Sequence, residues 1–206
     1  MSTSQTLKFE SPDQGEETAR ADLYGLLAAL YSAPPSQDLI DTIASARKEG
    51  EGEGILQHAW AELVSVCRTA QAEAVRDEYE TLFIGTGKPE VMLYGSYYLS
   101  GFLMEKPLAA LRTDLANLGL ERDESVPETE DHIAMLCEVM RYLIASNDIA
   151  QGSLASQQEF LGTHMQPWLV RLCDAIDAHP STRFYRAVTG LARAFFEVEM
   201  QAFDMI

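Results

Sequence analysis

The chain has 206 residues, 47% of them hydrophobic and 23% charged, which is enough to bury a sizeable core in one large domain or two small ones. Its 32 Asp and Glu against 15 Lys and Arg give a formal net charge of −17. Such a surface repels nucleic-acid backbones and anionic membranes, and it steers in a basic partner.

Residues 1–15 are polar, lack the apolar stretch of a signal peptide and read as a flexible tail. A helical period then begins, with Leu23, Leu26, Leu27, Leu30 and Tyr31 on one face, and Pro34-Pro35 stops it. Ser36 is placed to cap the next helix, which carries Leu39, Ile40 and Ile43. Alternating Glu and Gly over 49–54 reads as a loop. Residues 55–84 are mostly helical in pattern, first with Trp60, Leu63, Val64 and Cys67, then with Val75, Tyr79, Leu82 and Phe83. Gly85-Thr86-Gly87-Lys88-Pro89 ends this stretch. Val91–Tyr98 is apolar and aromatic without helical spacing, and the helical pattern returns over Leu99–Leu118, where Pro107 marks a kink or a start.

The acidic connection 119–130 is the place for a hinge between two helical halves. Ile133, Leu136, Cys137, Met140, Leu143 and Ile144 follow at helical spacing, then Phe160, Leu161, Trp168, Leu169, Leu172 and Ile176, with Pro167 as a bend or restart. Ser181 or Thr182 is placed to cap a last helix through Phe184, Val188, Leu191, Phe195 and Val198. No sustained period-2 alternation and no run long enough to span a bilayer interrupts this pattern. The expectation is an all-α protein: a single domain over 16–206, built as a bundle of about eight to ten helices and located in the cytoplasm.

Little in the chain suggests catalysis. Gly85-Thr86-Gly87-Lys88 resembles a fragment of a phosphate loop, but Pro89 stands where Ser or Thr belongs and no strand precedes it. His58, His132, His164 and His179 have no carboxylate three residues before them, as a helical di-metal site would require. Cys67, Cys137 and Cys173 are scattered in apolar stripes, as reduced core thiols are. No catalytic residue, metal or cofactor is therefore expected. Two segments stand out instead. Tyr94-Gly95-Ser96-Tyr97-Tyr98 offers apolar area with polar tips. Glu128-Thr129-Glu130-Asp131-His132 opens a helix, where Thr129 or Asp131 is placed to cap.

Glu78-Tyr79-Glu80-Thr81-Leu82-Phe83-Ile84-Gly85, Tyr94-Gly95-Ser96-Tyr97-Tyr98-Leu99 and Asp131-His132-Ile133-Ala134 resemble, in order, the motifs of the TorD/DmsD family, the assembly chaperones of bacterial molybdenum oxidoreductases. Phe160-Leu161, His164, Pro167-Trp168 and Phe184-Tyr185 resemble the family's C-terminal half. The likeness spans about residues 75–200. Met92-Leu93 and Glu130 depart from it by standing where the family has proline. The resemblance implies a TorD-like helical fold, found as a monomer or a domain-swapped homodimer. It also implies a partner, the catalytic subunit of a molybdenum oxidoreductase, bound through its twin-arginine signal peptide so that export waits for cofactor insertion. Such a peptide is basic and then apolar. On that reading Glu128, Asp131 and His132 meet its arginines, Tyr94, Tyr97 and Tyr98 line the apolar part, and Gly95 and Ser96 let its backbone approach. The alternatives are an all-helical regulatory or adaptor protein for another basic partner, and a metal protein using Asp131, His132 and Glu138.

Overall fold

The computed structural model describes residues 12–46, 54–123, 125–146 and 152–205. The first helix, α1 (Pro12–Ser32), starts within the stretch read as a tail, because proline suits a first helical turn, where its missing N–H is not needed. Residues 1–11 and most of the Glu-Gly loop lie outside the described residues. Nine more α-helices follow: α2 (Gln37–Ser45), α3 (Ile55–Cys67), α4 (Ala72–Tyr79), α5 (Gly95–Ser100), α6 (Lys106–Asn117), α7 (Ile133–Ala145), α8 (Leu154–His164), α9 (Gln166–Ala178) and α10 (Phe184–Asp204). A π-helical turn, Glu80–Ile84, extends α4 and closes on Gly85, whose N–H donates to Glu80 O at 2.8 Å. Gly85 takes φ +62°, and a Cβ there would meet Lys88 O at 2.3 Å, so the glycine-rich stretch is a tight helix-ending turn.

Several expected punctuation marks act as read. Ser36 Oγ accepts the Leu39 N–H and caps α2. Pro107 and Pro167 sit in the first turns of α6 and α9, so both are starts. The helix expected over Leu99–Leu118 is in fact two, separated by a turn at Gly101, which takes φ +85°.

The amphipathic faces converge on one core. α1 packs along α7, α10 against α3 and α9, α2 on α3, and α5 between α6 and α9. At its centre Tyr31, Tyr79, Phe83 and Tyr185 pack mostly edge to face, with Phe83 and Tyr185 5.0 Å apart. Two of their hydroxyls do further work. Tyr185 OH donates to Leu30 O at 2.9 Å and Tyr79 OH to Tyr31 O at 3.1 Å, satisfying carbonyls that α1 leaves open where the prolines stop it. The three cysteines are free and buried, and burial pushes the Cys67 and Cys173 thiols up to about 11, so they behave as small apolar groups.

The last helix is capped from a distance. Neither Ser181 nor Thr182 does it; Thr182 Oγ1 donates to Ile176 O at 2.6 Å instead. The Glu78 carboxylate accepts the N–H groups of Arg183, Phe184 and Tyr185 at 2.8–2.9 Å, so a residue 105 positions away holds the start of α10. Glu78→Ala leaves three orphan donors at a helix N-terminus, and a loss of about 2 kcal/mol is expected in urea unfolding. Glu78→Gln, which keeps one acceptor oxygen, should cost less than the alanine.

Candidate functional site

The two segments singled out in the sequence lie side by side. Tyr94 and His132 form an isolated antiparallel bridge. The Ile133 N–H donates to Leu93 O and the Gly95 N–H to Asp131 O, each at 2.9 Å. Asp131 then turns its side chain back: Oδ2 accepts the Ser96 N–H at 2.8 Å, and Oδ1 accepts Thr129 Oγ1–H at 2.6 Å. Asp131 therefore caps α5, across 35 residues, and not the helix it precedes. The cap of α7 is His132, whose Nδ1 accepts the Ala134 N–H at 3.2 Å. That bond requires the neutral ring. Burial pushes the His132 pKa down to about 4, against the opposing charges of Glu128 and Asp131.

This arrangement engages several of the expected contact residues within the fold itself. Asp131 and His132 are 4% and 3% exposed, with the Asp131 oxygens and His132 Nδ1 already engaged, so neither offers an open contact to an arginine. Gly95 is buried too. A Cβ on it would lie 2.9 Å from Nε1 of Trp168, so its missing side chain makes room for the indole and not for a peptide backbone. Trp168 in turn donates Nε1–H to His164 O at 2.7 Å, and its ring stacks on Tyr98 at 5.6 Å and 15°. The Arg171 guanidinium lies over the Tyr98 ring. Ser96 Oγ and Tyr98 OH are buried without a hydrogen-bond partner among the described residues.

Tyr94 is half-buried, sets its ring edge-on to His132 at 5.0 Å and donates its hydroxyl to the Glu128 carboxylate. Burial and that carboxylate push its pKa well up, so it stays a neutral donor. Tyr97 is half-buried beneath the Lys88 ammonium, 5.8 Å from the ring centre.

A neighbouring feature was missed in the sequence. Leu99, Phe102, Leu103 and Met104 follow the tyrosines directly and are exposed, Phe102 by 70% and Met104 by 73%. Their i, i+3, i+4 spacing looks like the buried face of a helix. The turn after α5, pinned by Ser100 Oγ–H on Ser96 O and on Phe102 O, leaves them in solvent. Exposed apolar side chains grouped in this way are candidates for an interaction surface.

The 119–130 connection is tied down at Glu130. Arg112 donates Nε–H to Glu130 Oε2 at 3.0 Å, and Arg122 reaches Oε1 at 3.6 Å. Burial raises the pKa of Glu130, but the Arg112 hydrogen bond and the charges of Arg112 and Arg122 outweigh it and hold the carboxyl below its usual range. A hollow of about 670 Å³ also lies between α3 and α10, and Arg193 on its wall is neutralised by Asp174 and Asp177. Among the described residues no three His, Cys, Asp or Glu gather where a metal would be held, and no helix is long and apolar enough to cross a membrane.

Known proteins share this architecture. A crystal structure from Archaeoglobus fulgidus, assigned as a redox enzyme maturation protein, superposes with a TM-score of 0.58 over 95% of this chain and 98% of that one, at 18% identity, which is a likeness of fold. The chaperone protein TorD of Vibrio parahaemolyticus is 26% identical over 200 residues, covering 87% of this chain and 92% of its own. TorD of Vibrio cholerae is 30% identical over 142 residues, 66% of this chain and 64% of its own. The sequence model of the nitrate reductase delta subunit family matches residues 53–174, a stretch that runs from the start of α3 through the tyrosine and Asp-His segments into α9, and by that match the chain belongs to this TorD-like family of assembly chaperones.

Proposed function

We propose that the protein is a chaperone for the catalytic subunit of a molybdenum oxidoreductase. It binds the subunit's twin-arginine signal peptide in the cytoplasm and holds back export until the cofactor is inserted. The reading draws on family membership. The observation that carries it to a site is the exposed apolar run Leu99–Met104, which emerges directly from the tyrosine helix whose start is fastened to the acidic 128–132 segment. In this reading Tyr97, Tyr98 and the run behind them take the apolar part of the peptide. Glu128 contributes to the acidic side, beside Tyr94. Gly95, Ser96, Asp131 and His132 hold the surface in shape, Gly95 by seating Trp168 and the other three through the caps.

Calorimetric titration with synthetic twin-arginine signal peptides tests this, with an Arg-Arg to Lys-Lys control and a salt series. The expected result is saturable binding that prefers one peptide, falls when arginine becomes lysine and weakens with salt, as attraction to a chain of net charge −17 must. Phe102→Asp should weaken the same binding by about tenfold with little change in stability, since an exposed side chain contributes little to the fold. Absence of binding to every such peptide would overturn the reading.

A further inference from the structure

We infer that the basic part of the bound segment seats in a cleft under the 119–130 connection, where Arg122 of the chain itself now stands in for an incoming arginine. This rests on the signal-peptide reading above and adds to the tyrosine and Asp-His segments a seat that shares only Glu130 with them.

The cleft follows from how α6 ends. Gly119 takes φ +69°, its N–H donates to Ala116 O at 3.0 Å, and the Leu120 N–H donates to Leu115 O at 2.9 Å. This is a Schellman ending, which brings Leu120 back over Leu115. With Val126, Met135, Val139 and Tyr142 these two leucines line a hollow of about 240 Å³ between α6, α7 and the connection. Four carboxylates stand around it: Glu121, Asp123, Glu130 and Glu138. Small-molecule sites run to roughly 300–1,000 Å³. A smaller hollow with an aliphatic lining and an acidic rim fits one or two side chains of a peptide that is cationic and apolar at adjacent positions. A second hollow of about 450 Å³ shares Leu115, Leu120, Glu121, Arg122 and Glu130 with the first, so Arg122 lies on the wall common to both.

Arg122 is held there poorly. Its Nη1 donates to Val126 O, within the same connection. Its Nε is buried without a hydrogen-bond partner among the described residues, 3.6 Å from Glu130 Oε1. A buried donor left without an acceptor is costly. Arg112 meanwhile holds the other oxygen, with Nη2 at 2.9 Å and Nε at 3.0 Å. Two guanidinium groups of the chain thus converge on one carboxylate, one well bonded and one not. An arginine that reached Glu130 Oε1 with better geometry would replace Arg122 at little cost and would join the two hollows into one groove.

Fluorescence anisotropy with a labelled twin-arginine signal peptide tests the assignment. Three full-length variants are compared with wild type: Asp123→Lys/Glu138→Lys on the rim, Glu62→Lys/Glu197→Lys with the same charge change on α3 and α10, and Arg122→Ala. The expected results are about a tenfold or greater weakening for the rim pair beyond that of the control pair, and about a two- to fivefold tightening for Arg122→Ala, the size of a released surface ion pair. Circular dichroism and urea midpoints check that each variant folds. Wild-type binding that the rim pair weakens no more than the control pair would overturn the cleft while leaving the signal-peptide reading intact. Unchanged or weaker binding by Arg122→Ala would overturn its role as a stand-in. No binding by wild type would overturn the signal-peptide reading, and the cleft with it.

Discussion

Replacing Glu199 by alanine is expected to lower the unfolding free energy by about 3–5 kcal/mol, the loss typical of breaking a buried ion pair on one side only. Glu199 lies in α10 with its side chain 3% exposed, and Arg20 of α1 grips it with both ends of the guanidinium, Nε to Oε1 at 2.6 Å and Nη2 to Oε2 at 2.8 Å. Tyr24 OH donates to the same carboxylate at 3.0 Å, and Arg20 Nη2 also donates to Gln157 Oε1 of α8 at 3.0 Å. Gln157 is fully buried and passes its own N–H to Gly152 O. One carboxylate thus organises three helices that are distant in sequence. Burial lowers the Arg20 pKa, yet the bond and charge of Glu199 outweigh it and the guanidinium stays ionised. Alanine at 199 strands that charge and the Tyr24 hydroxyl. The double variant Arg20→Met/Glu199→Met removes both charges and keeps volume, so it should recover most of the loss. Chemical denaturation of the two variants checks this. A single-variant loss under about 1 kcal/mol would mean that the pair behaves like a surface one.

Glu199 also shows what a sequence can and cannot yield. It falls four residues after Phe195 on the apolar stripe of α10, and a charge in that place is a visible signal that a partner is buried with it. Which residue that partner is, 179 positions away, is not visible. The same division holds through the fold. The long helices were legible because their apolar spacing persists over three turns or more and because Pro34-Pro35, Ser36, Pro107 and Pro167 punctuate them. The six-residue α5 was not, since fewer than two turns give no period to count, and its start is stabilised by Asp131 from 35 residues on. Phe102 and Leu103 misled in the opposite sense, continuing the spacing of Leu99 past the end of α5 with no helix to carry it. At the candidate site, residue types and order singled out two segments that the fold sets side by side. Their burial was not legible, because Asp and His at a helix start look the same whether they face solvent or brace a neighbouring helix.

His132 turns that bracing into a dependence on pH. Its folded-state pKa of about 4 lies below the ordinary value near 6.5, since burial penalises the charged ring and the cap on Ala134 needs a bare Nδ1. The unfolded chain therefore binds a proton that the folded chain refuses over this interval, and stability must fall as pH falls. The contribution is fully present above about pH 6.5. About 2 kcal/mol is lost by pH 5 and about 3 kcal/mol by pH 4, where the folded ring begins to protonate and the loss levels off. The charges of Glu128 and Asp131 act on the ring, so the wild-type curve alone does not report the imidazole by itself. His132→Asn isolates its part. Asparagine is a good N-cap and carries no proton in this range. Urea unfolding from pH 7 to pH 4.5 should show wild type losing stability more steeply than His132→Asn, with the difference opening below about pH 6.5. Parallel curves would place the imidazole in contact with solvent or in its charged form, and the capping geometry would then have to be abandoned.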